Sequence, residues 1–242
     1  MHRLLVATEL LESDAPVLPK EAQAHLRVLR PREGEEVDLF DGRGRSRVCR
    51  FCAGALAPAA AARTFPRHPF GLALFACVTK GSRWDWTVEK ATELGVTRIV
   101  PVISDRTIVR ISPDEREAKR RRWTRIAEDA ARQSDAKWIP EIVAPLPLGE
   151  ALALVGETTC FVGALTAPPP QMLASAVSRT RLAPGSSLAL FVGPEGDFTP
   201  DELAALTAVA APVSFGPTIL RAETAAVYGL SVLKGFLDVS AR

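Results

Sequence analysis

Apolar positions along this chain follow two patterns, and the change between them falls near residue 70. Before that point, short apolar runs are cut by turn signals at Glu33-Gly34-Glu35, at Asp41-Gly42-Arg43-Gly44 and in the Pro-rich stretch 65–69. Residues 37–40, then Asp41-Gly42, then 45–49 predict a hairpin whose turn uses residues tolerant of positive φ. The Ala-rich stretch 53–63, broken by Pro58, selects no element. Beyond residue 70, apolar runs alternate with amphipathic stretches, the habit of α/β proteins with a mostly parallel sheet. Strands are predicted at 72–78, 98–103, 160–163 and 187–192. Helices are predicted at 84–94, stopped by Gly95, and at 112–134, opened by Ser112 with Pro113 at the first helical position. Thr199-Pro200-Asp201-Glu202 has capping-box spacing, and a last helix over 223–239 should bury Ala226, Leu230, Leu233 and Leu237. The pattern therefore gives an α/β chain with a small β domain over 1–70 and an α/β domain over 71–242.

Composition adds little to this division. With 30 basic and 28 acidic side chains the formal charge is +2, so a nucleic-acid partner has to be argued from local clusters. Such clusters exist: Arg27 and Arg30, then Arg43, Arg45 and Arg47 on one face of the predicted hairpin, and a basic helix through Arg116, Lys119, Arg120, Arg121, Arg122 and Arg125. A solvated charged face is the plainer reading of each. No run approaches the roughly 20 apolar residues of a membrane span, and the N-terminus lacks a signal-peptide core, so a cytoplasmic protein without a membrane partner is expected. Of the four cysteines, Cys49 and Cys52 are spaced C-x-x-C, but no second pair accompanies them; reduced, buried thiols are expected and no metal.

Two loops near the C-terminus concentrate candidate chemistry. Val192-Gly193-Pro194-Glu195-Gly196-Asp197 falls between a buried strand and a capped helix, where open α/β sheets bind ligands. Its glycines permit close backbone approach, and its carboxylates disfavour phosphate and suit a cation such as the sulfonium of S-adenosylmethionine. In the second loop, Phe215 to Ala225, Ile219 and Leu220 can flank a planar base and Arg221 offers a fork of donors, while Glu223 sits at a helix start that favours negative charge. Local spacing equally allows a bare turn in the first loop and a surface pair of Arg221 with Glu223 in the second.

Taken together, Gly193-Pro194-Glu195-Gly196, Ile219-Leu220-Arg221-Ala222-Glu223-Thr224-Ala225 and Lys90-Ala91-Thr92-Glu93-Leu94-Gly95-Val96 resemble the RsmE family of ribosomal RNA uridine methyltransferases, in the SPOUT superfamily. His25-Leu26-Arg27-Val28-Leu29-Arg30 and Phe40-Asp41-Gly42 resemble that family's N-terminal part, so the likeness spans nearly the whole chain. It implies a PUA-like β-barrel for RNA, an α/β SPOUT domain with a trefoil knot, and a homodimer. The implied activity is transfer of a methyl group from S-adenosylmethionine to N3 of a uridine in small-subunit (16S) ribosomal RNA, free or in an assembled 30S subunit. Carried over by position, the donor would lie against Leu165, Val192, Gly193, Glu195, Gly196, Phe215, Gly216, Ile219 and Leu220. Arg221 would act in catalysis, Glu223 is the candidate proton acceptor, and His25, Arg27, Arg30, Arg43, Arg45 and Arg47 would contact RNA.

Three departures from the family pattern, at four positions, stand out. Asp135-Ala136 stands for Gly-Arg, Asp197 replaces a glycine, and Thr218 replaces an arginine. These departures motivate two alternatives, a catalytically silent RNA-binding protein of the same fold and a methyltransferase with another RNA target. A nucleotide-hydrolysing enzyme is disfavoured by the missing P-loop lysine.

Overall fold

The structure is a computed structural model that describes residues 1–166 and 168–241. It divides into two compact units, Met1–Arg67 with Glu128–Ile139, and His68–Ala127 with Pro140–Arg242.

The first unit holds β1 (His2–Leu5), a 3-10 turn (Thr8–Leu11), α1 (Lys20–Leu29), β2 (Glu36–Phe40), β3 (Arg45–Cys52), β4 (Ala55–Pro58) and β5 (Arg63–Thr64). The sheet runs β1-β2-β3-β4, with β5 pairing β3. The β2–β3 hairpin is antiparallel, as the turn signal at Asp41-Gly42 predicts, and the Asp41 carboxylate accepts the Arg43 and Arg45 amides at 2.8 and 3.0 Å. Strand β4 falls in the stretch where the sequence selects no element, because Leu56 is its one buried apolar residue. Helix α1, read from sequence only as a motif, buries Ala22 and Leu26 one turn apart. Cys49 is buried in the same core, and burial raises its thiol pKa, so it packs as a small apolar side chain.

Segment 135–139 docks on the hairpin. Lys137 pairs with the buried Asp38, and the Trp138 indole donates to the Phe65 carbonyl at 3.2 Å. A β-carbon on Gly44 would stand 2.3 Å from the Trp138 ring, so this turn needs glycine for close approach as well as for its φ of 89°. Asp135 has φ of 61° and pairs with Arg3 at 2.8 Å. The departure from glycine at Asp135 thus occupies a left-handed position, which aspartate tolerates better than most residues.

The second unit comprises β6 (Gly71–Cys77), α2 (Ser82–Glu93), β7 (Arg98–Ile103), α3 (Pro113–Ser134, its last turns counted with the first unit), β8 (Glu141–Ile142), β9 (Leu146–Pro147), α4 (Leu148–Leu152), β10 (Thr159–Gly163), α5 (Leu173–Val177), β11 (Ser187–Val192), α6 (Pro200–Thr207), β12 (Ala210–Val213) and α7 (Ala222–Ser240). Its sheet is parallel throughout, in the order β12-β10-β11-β6-β7-β8, with β9 also on β7. Strands β6 and β11 read as unbroken apolar runs because both faces of a parallel sheet are covered. Phe75 and Phe191 stack across them at 4.6 Å. Strand β12 escapes sequence reading because it is four residues long with a proline inside, a combination an edge strand accommodates. Gly95 ends α2 with φ of 75°, and Thr199 and Glu202 close the predicted capping box of α6. Helix α7 buries Ala226, Leu230, Leu233 and Leu237 and packs on α2, β6 and β11. Gly229 permits that approach, since a β-carbon there would lie 2.5 Å from Leu190 Cδ2.

Candidate active site

Three adjacent strands of the second unit, β12, β10 and β11, end side by side, and their carboxyl ends open on one cleft of about 270 Å³. Gly163 to Leu165 follow β10, Val192 to Glu195 end β11, and Val213 to Gly216 end β12. Thr218 to Ala222, leading into α7, complete the wall. This is where an open α/β sheet binds ligands, because the loops diverge and leave backbone groups unpaired. Of the nine positions carried over for the donor, Leu165, Val192, Gly193, Glu195, Phe215, Gly216, Ile219 and Leu220 line the cleft. Gly196 does not; its carbonyl faces away and accepts from Arg106.

The ring of Phe215 is held edge-on by Tyr228 at 5.8 Å and lies where β-carbons on Gly163 and Gly229 would otherwise be, at 2.5 and 3.3 Å. Two glycines distant in sequence thus seat the aromatic wall. A β-carbon on Gly193 would stand 3.2 Å from both Asp197 Oδ1 and the Phe198 ring, so the backbone itself forms this side of the cleft. Asp197, the second departure from glycine, has φ of 58° and caps its own turn, its Oδ1 accepting the Phe198 amide at 2.8 Å. Glu195 and Asp197 are the carboxylates among the lining residues, and the remainder is largely apolar. With Arg221 as the one cation among the lining residues, such a surface suits a ligand with a largely apolar body and a few polar or charged groups.

Arg221 lines the cleft at the N-cap of α7, exposed, with no side-chain hydrogen bond or ion pair among the described residues. Glu223 is brought elsewhere. Its side chain is 13% exposed and turns behind the wall, toward a small space lined by Thr79, Trp84 and Val192. One oxygen lies 3.9 Å from Arg83 Nε, and the other is buried without a hydrogen-bond partner. Arg83, on α2, also reaches Glu195 at 3.4 Å and so links the two loops. Neither Arg83 nor Arg106 stands out in the sequence, because each reaches the site from a different element about 90 or more residues away in sequence.

The comparisons with known proteins bear on this geometry. A family model described as an RNA methyltransferase domain matches residues 66–234, and an RNA methyltransferase PUA domain model matches 18–51. A ribosomal RNA small subunit methyltransferase E of Synechocystis sp. is 31% identical over 98% of this chain and 78% of its own length. The chain belongs to that family. Within the family, the Neisseria gonorrhoeae protein, solved bound to S-adenosyl methionine, superposes with a TM-score of 0.82 at 30% identity over 97% of each chain. A Legionella pneumophila protein solved with SAM bound gives 0.83 at 28% identity over 96% of each.

In the first unit, the six residues expected at RNA are in different states. Arg27 and Arg30 at the end of α1 and Arg43 in the hairpin turn are exposed, with side chains unpaired among the described residues. Arg45 pairs with Glu12. Arg47 is spent within the unit, and the expectation of a shared, open arginine face is corrected on this point. Its guanidinium donates to the carbonyls of Ala60, Leu11 and Ser13 at 2.9, 3.0 and 2.9 Å and is 13% exposed. His25 is half-buried, and burial, then Arg132 and His2, lower its pKa below the ordinary 6.5. It is therefore neutral at pH 7 and contributes no charge to a phosphate. A lowered folded pKa means that the unfolded chain binds more protons. The stabilising contribution is then present above pH 6.5 and is lost as pH falls through the folded value. NMR titration of the His25 ring should give a midpoint below 6.5; one at or above 6.5 would contradict the burial argument.

Proposed function

We propose that this protein methylates N3 of a uridine in small-subunit ribosomal RNA, using S-adenosylmethionine bound in the cleft at the ends of β10, β11 and β12. The observation that carries the proposal is the convergence of eight carried-over donor positions on that one cleft. The residues suit the donor: Gly193 brings bare backbone to the cleft, Phe215, Ile219 and Leu220 offer apolar walls, and Glu195 and Asp197 supply the negative charge a sulfonium favours. Relatives solved with the same ligand support the choice. When bound, the donor supplies an electrophilic methyl carbon whose bond to sulfur breaks as the new N–C bond forms.

The chain's own residues act on the acceptor. N3 of uracil is a poor nucleophile until it loses its proton, after which negative charge spreads onto the flanking ring oxygens. Arg221, unpaired and in the cleft wall, is placed to donate to one of those oxygens and stabilise the delocalised charge. Glu223, behind the wall, supports Arg83 and the Glu195 loop in this reading, and the N3 proton passes to solvent water. Arg27, Arg30, Arg43 and Arg45 are the proposed phosphate contacts of the small domain (1–70), with the larger domain (71–242) holding the donor.

We further infer a homodimer and a trefoil path through the last loops. Apolar side chains left in solvent near the cleft, Ile219 at 80% and Leu165 at 65%, support an interface, and the return of α7 onto β6 and β11 supports the path. We place the reaction in the cytoplasm, on free rRNA or the 30S subunit; among the described residues no helix is long and apolar enough to cross a membrane. The silent-protein alternative loses its motive at Asp197, which occupies a left-handed position and lines the cleft, and keeps it at Ala136 and Thr218, where the family's arginines are missing. Mass spectrometry of 16S rRNA from a strain lacking the gene should show loss of one N3-methyluridine and its return on complementation. Persistence of every methyluridine would overturn the proposal.

A further inference from the structure

We infer that Arg106, in the loop after β7, is a positioning residue that sets the backbone path of the donor loop 193–197. This rests on the reading of the cleft as the S-adenosylmethionine site. Arg106 Nη1 donates to the Gly196 carbonyl at 2.8 Å and lies 3.4 Å from that of Phe198, so one guanidinium spans the end of the loop. Its stem runs along Gly196, with Cδ and Cβ 3.5 and 3.6 Å from where a β-carbon would stand. The neighbouring residue braces the following helix. The Asp105 amide donates to Glu202 Oε1 at 2.8 Å, while Glu202 Oε2 accepts the Thr199 amide at 2.9 Å within the α6 capping box.

The base of this clamp is buried and internally bonded. Thr107 Oγ1 accepts the Ser104 amide at 2.9 Å, the two hydroxyls lie 2.9 Å apart, and Cys77 Sγ on β6 is 3.3 Å from Ser104 Oγ. Ser104 and Thr107 are 4% and 1% exposed. The carboxyl ends of β6 and β7 therefore hold Arg106 in place, and Arg106 holds a loop whose own internal backbone bond is Asp197 N–H to the Pro194 carbonyl at 2.9 Å. Without the guanidinium the Gly196 carbonyl turns to water and the turn 194–197 loses its outer support. Both contacts come from the one nitrogen Nη1, and the rigid, delocalised guanidinium holds it where the flexible lysine stem would not.

The role predicts a weakened donor complex with unimpaired chemistry. In calorimetric titration of S-adenosylmethionine into the full chain, Arg106→Ala should raise Kd on the order of tenfold, the size expected for one charge-assisted hydrogen bond. Arg106→Lys should fall between it and the unsubstituted protein, and Arg110→Ala, which removes a nearby exposed charge, should leave Kd unchanged. Methyl transfer at saturating donor should stay within about twofold of the unsubstituted rate in Arg106→Ala, and melting temperatures should agree across the set. Equal affinity of Arg106→Ala and the unsubstituted protein would overturn the inference. So would equal weakening by Arg110→Ala, or a fall in rate with affinity intact. Failure of the unsubstituted protein to bind the donor is a different result, and it would overturn the functional reading.

Discussion

Arg221→Ala is expected to slow methyl transfer by on the order of 10²–10³ while leaving S-adenosylmethionine affinity within a few fold, because the lost donors act on charge that develops on the acceptor ring. The structure gives the reason for the separation. Arg221 lines the cleft at the N-cap of α7 with its guanidinium unpaired, so its removal leaves no buried partner orphaned and no helix cap broken. Arg221→Lys should recover little of the rate, since a compact, strongly hydrated ammonium lacks the planar array of donors that a guanidinium presents to a ring oxygen. Single-turnover rates at saturating donor, read beside calorimetric affinities, decide the matter. A loss of affinity as large as the loss of rate would move Arg221 from the acceptor side to the donor side.

Gly193→Val should abolish measurable donor binding, a fall of at least about two orders of magnitude in affinity, since this backbone forms one wall of the cleft. Even a first added carbon would meet Asp197 Oδ1 and the Phe198 ring at 3.2 Å, and two further methyls would force this loop and its wall of the cleft to shift. Gly193→Ala should be intermediate, its neighbours yielding by a few tenths of an ångström. Overpacking costs about 1–3 kcal/mol in folded proteins, so the melting temperature has to be measured in parallel to separate a blocked cleft from a loosened fold. A folded Gly193→Val variant that binds the donor normally would show that this loop is not its site.

Gly193 and Arg221 differ in how far the sequence alone marks their settings. Gly193 sits in a run whose neighbours declare its setting: an apolar strand before it and a capping box after it. Arg221 is placed by the same logic at the head of an amphipathic helix, although spacing alone allowed it to pair with Glu223. Only packing separates those two residues, turning Arg221 into the cleft and Glu223 behind its wall toward Arg83. The residues expected at RNA divide in the same way. Strand alternation puts Arg45 and Arg47 on one face, but it gives no sign that three carbonyls from other segments would consume the Arg47 guanidinium.

By itself, the sequence determined the features that depend on near neighbours along the chain. These are the period of β6, β7, β11 and α7, the glycine stop after α2, the capping box of α6, the hairpin turn at Asp41-Gly42 and the motifs that mark the family. The tertiary structure decided the strand order that sets the ends of β12, β10 and β11 side by side. It also decided the seating of Phe215 between Gly163 and Gly229 and the recruitment of Arg83 and Arg106 to the donor loop. The physical reason is one of range. Backbone periodicity and caps are set by hydrogen bonds a few residues apart, whereas the direction and pairing of a side chain depend on surfaces that meet only once the sheet has assembled.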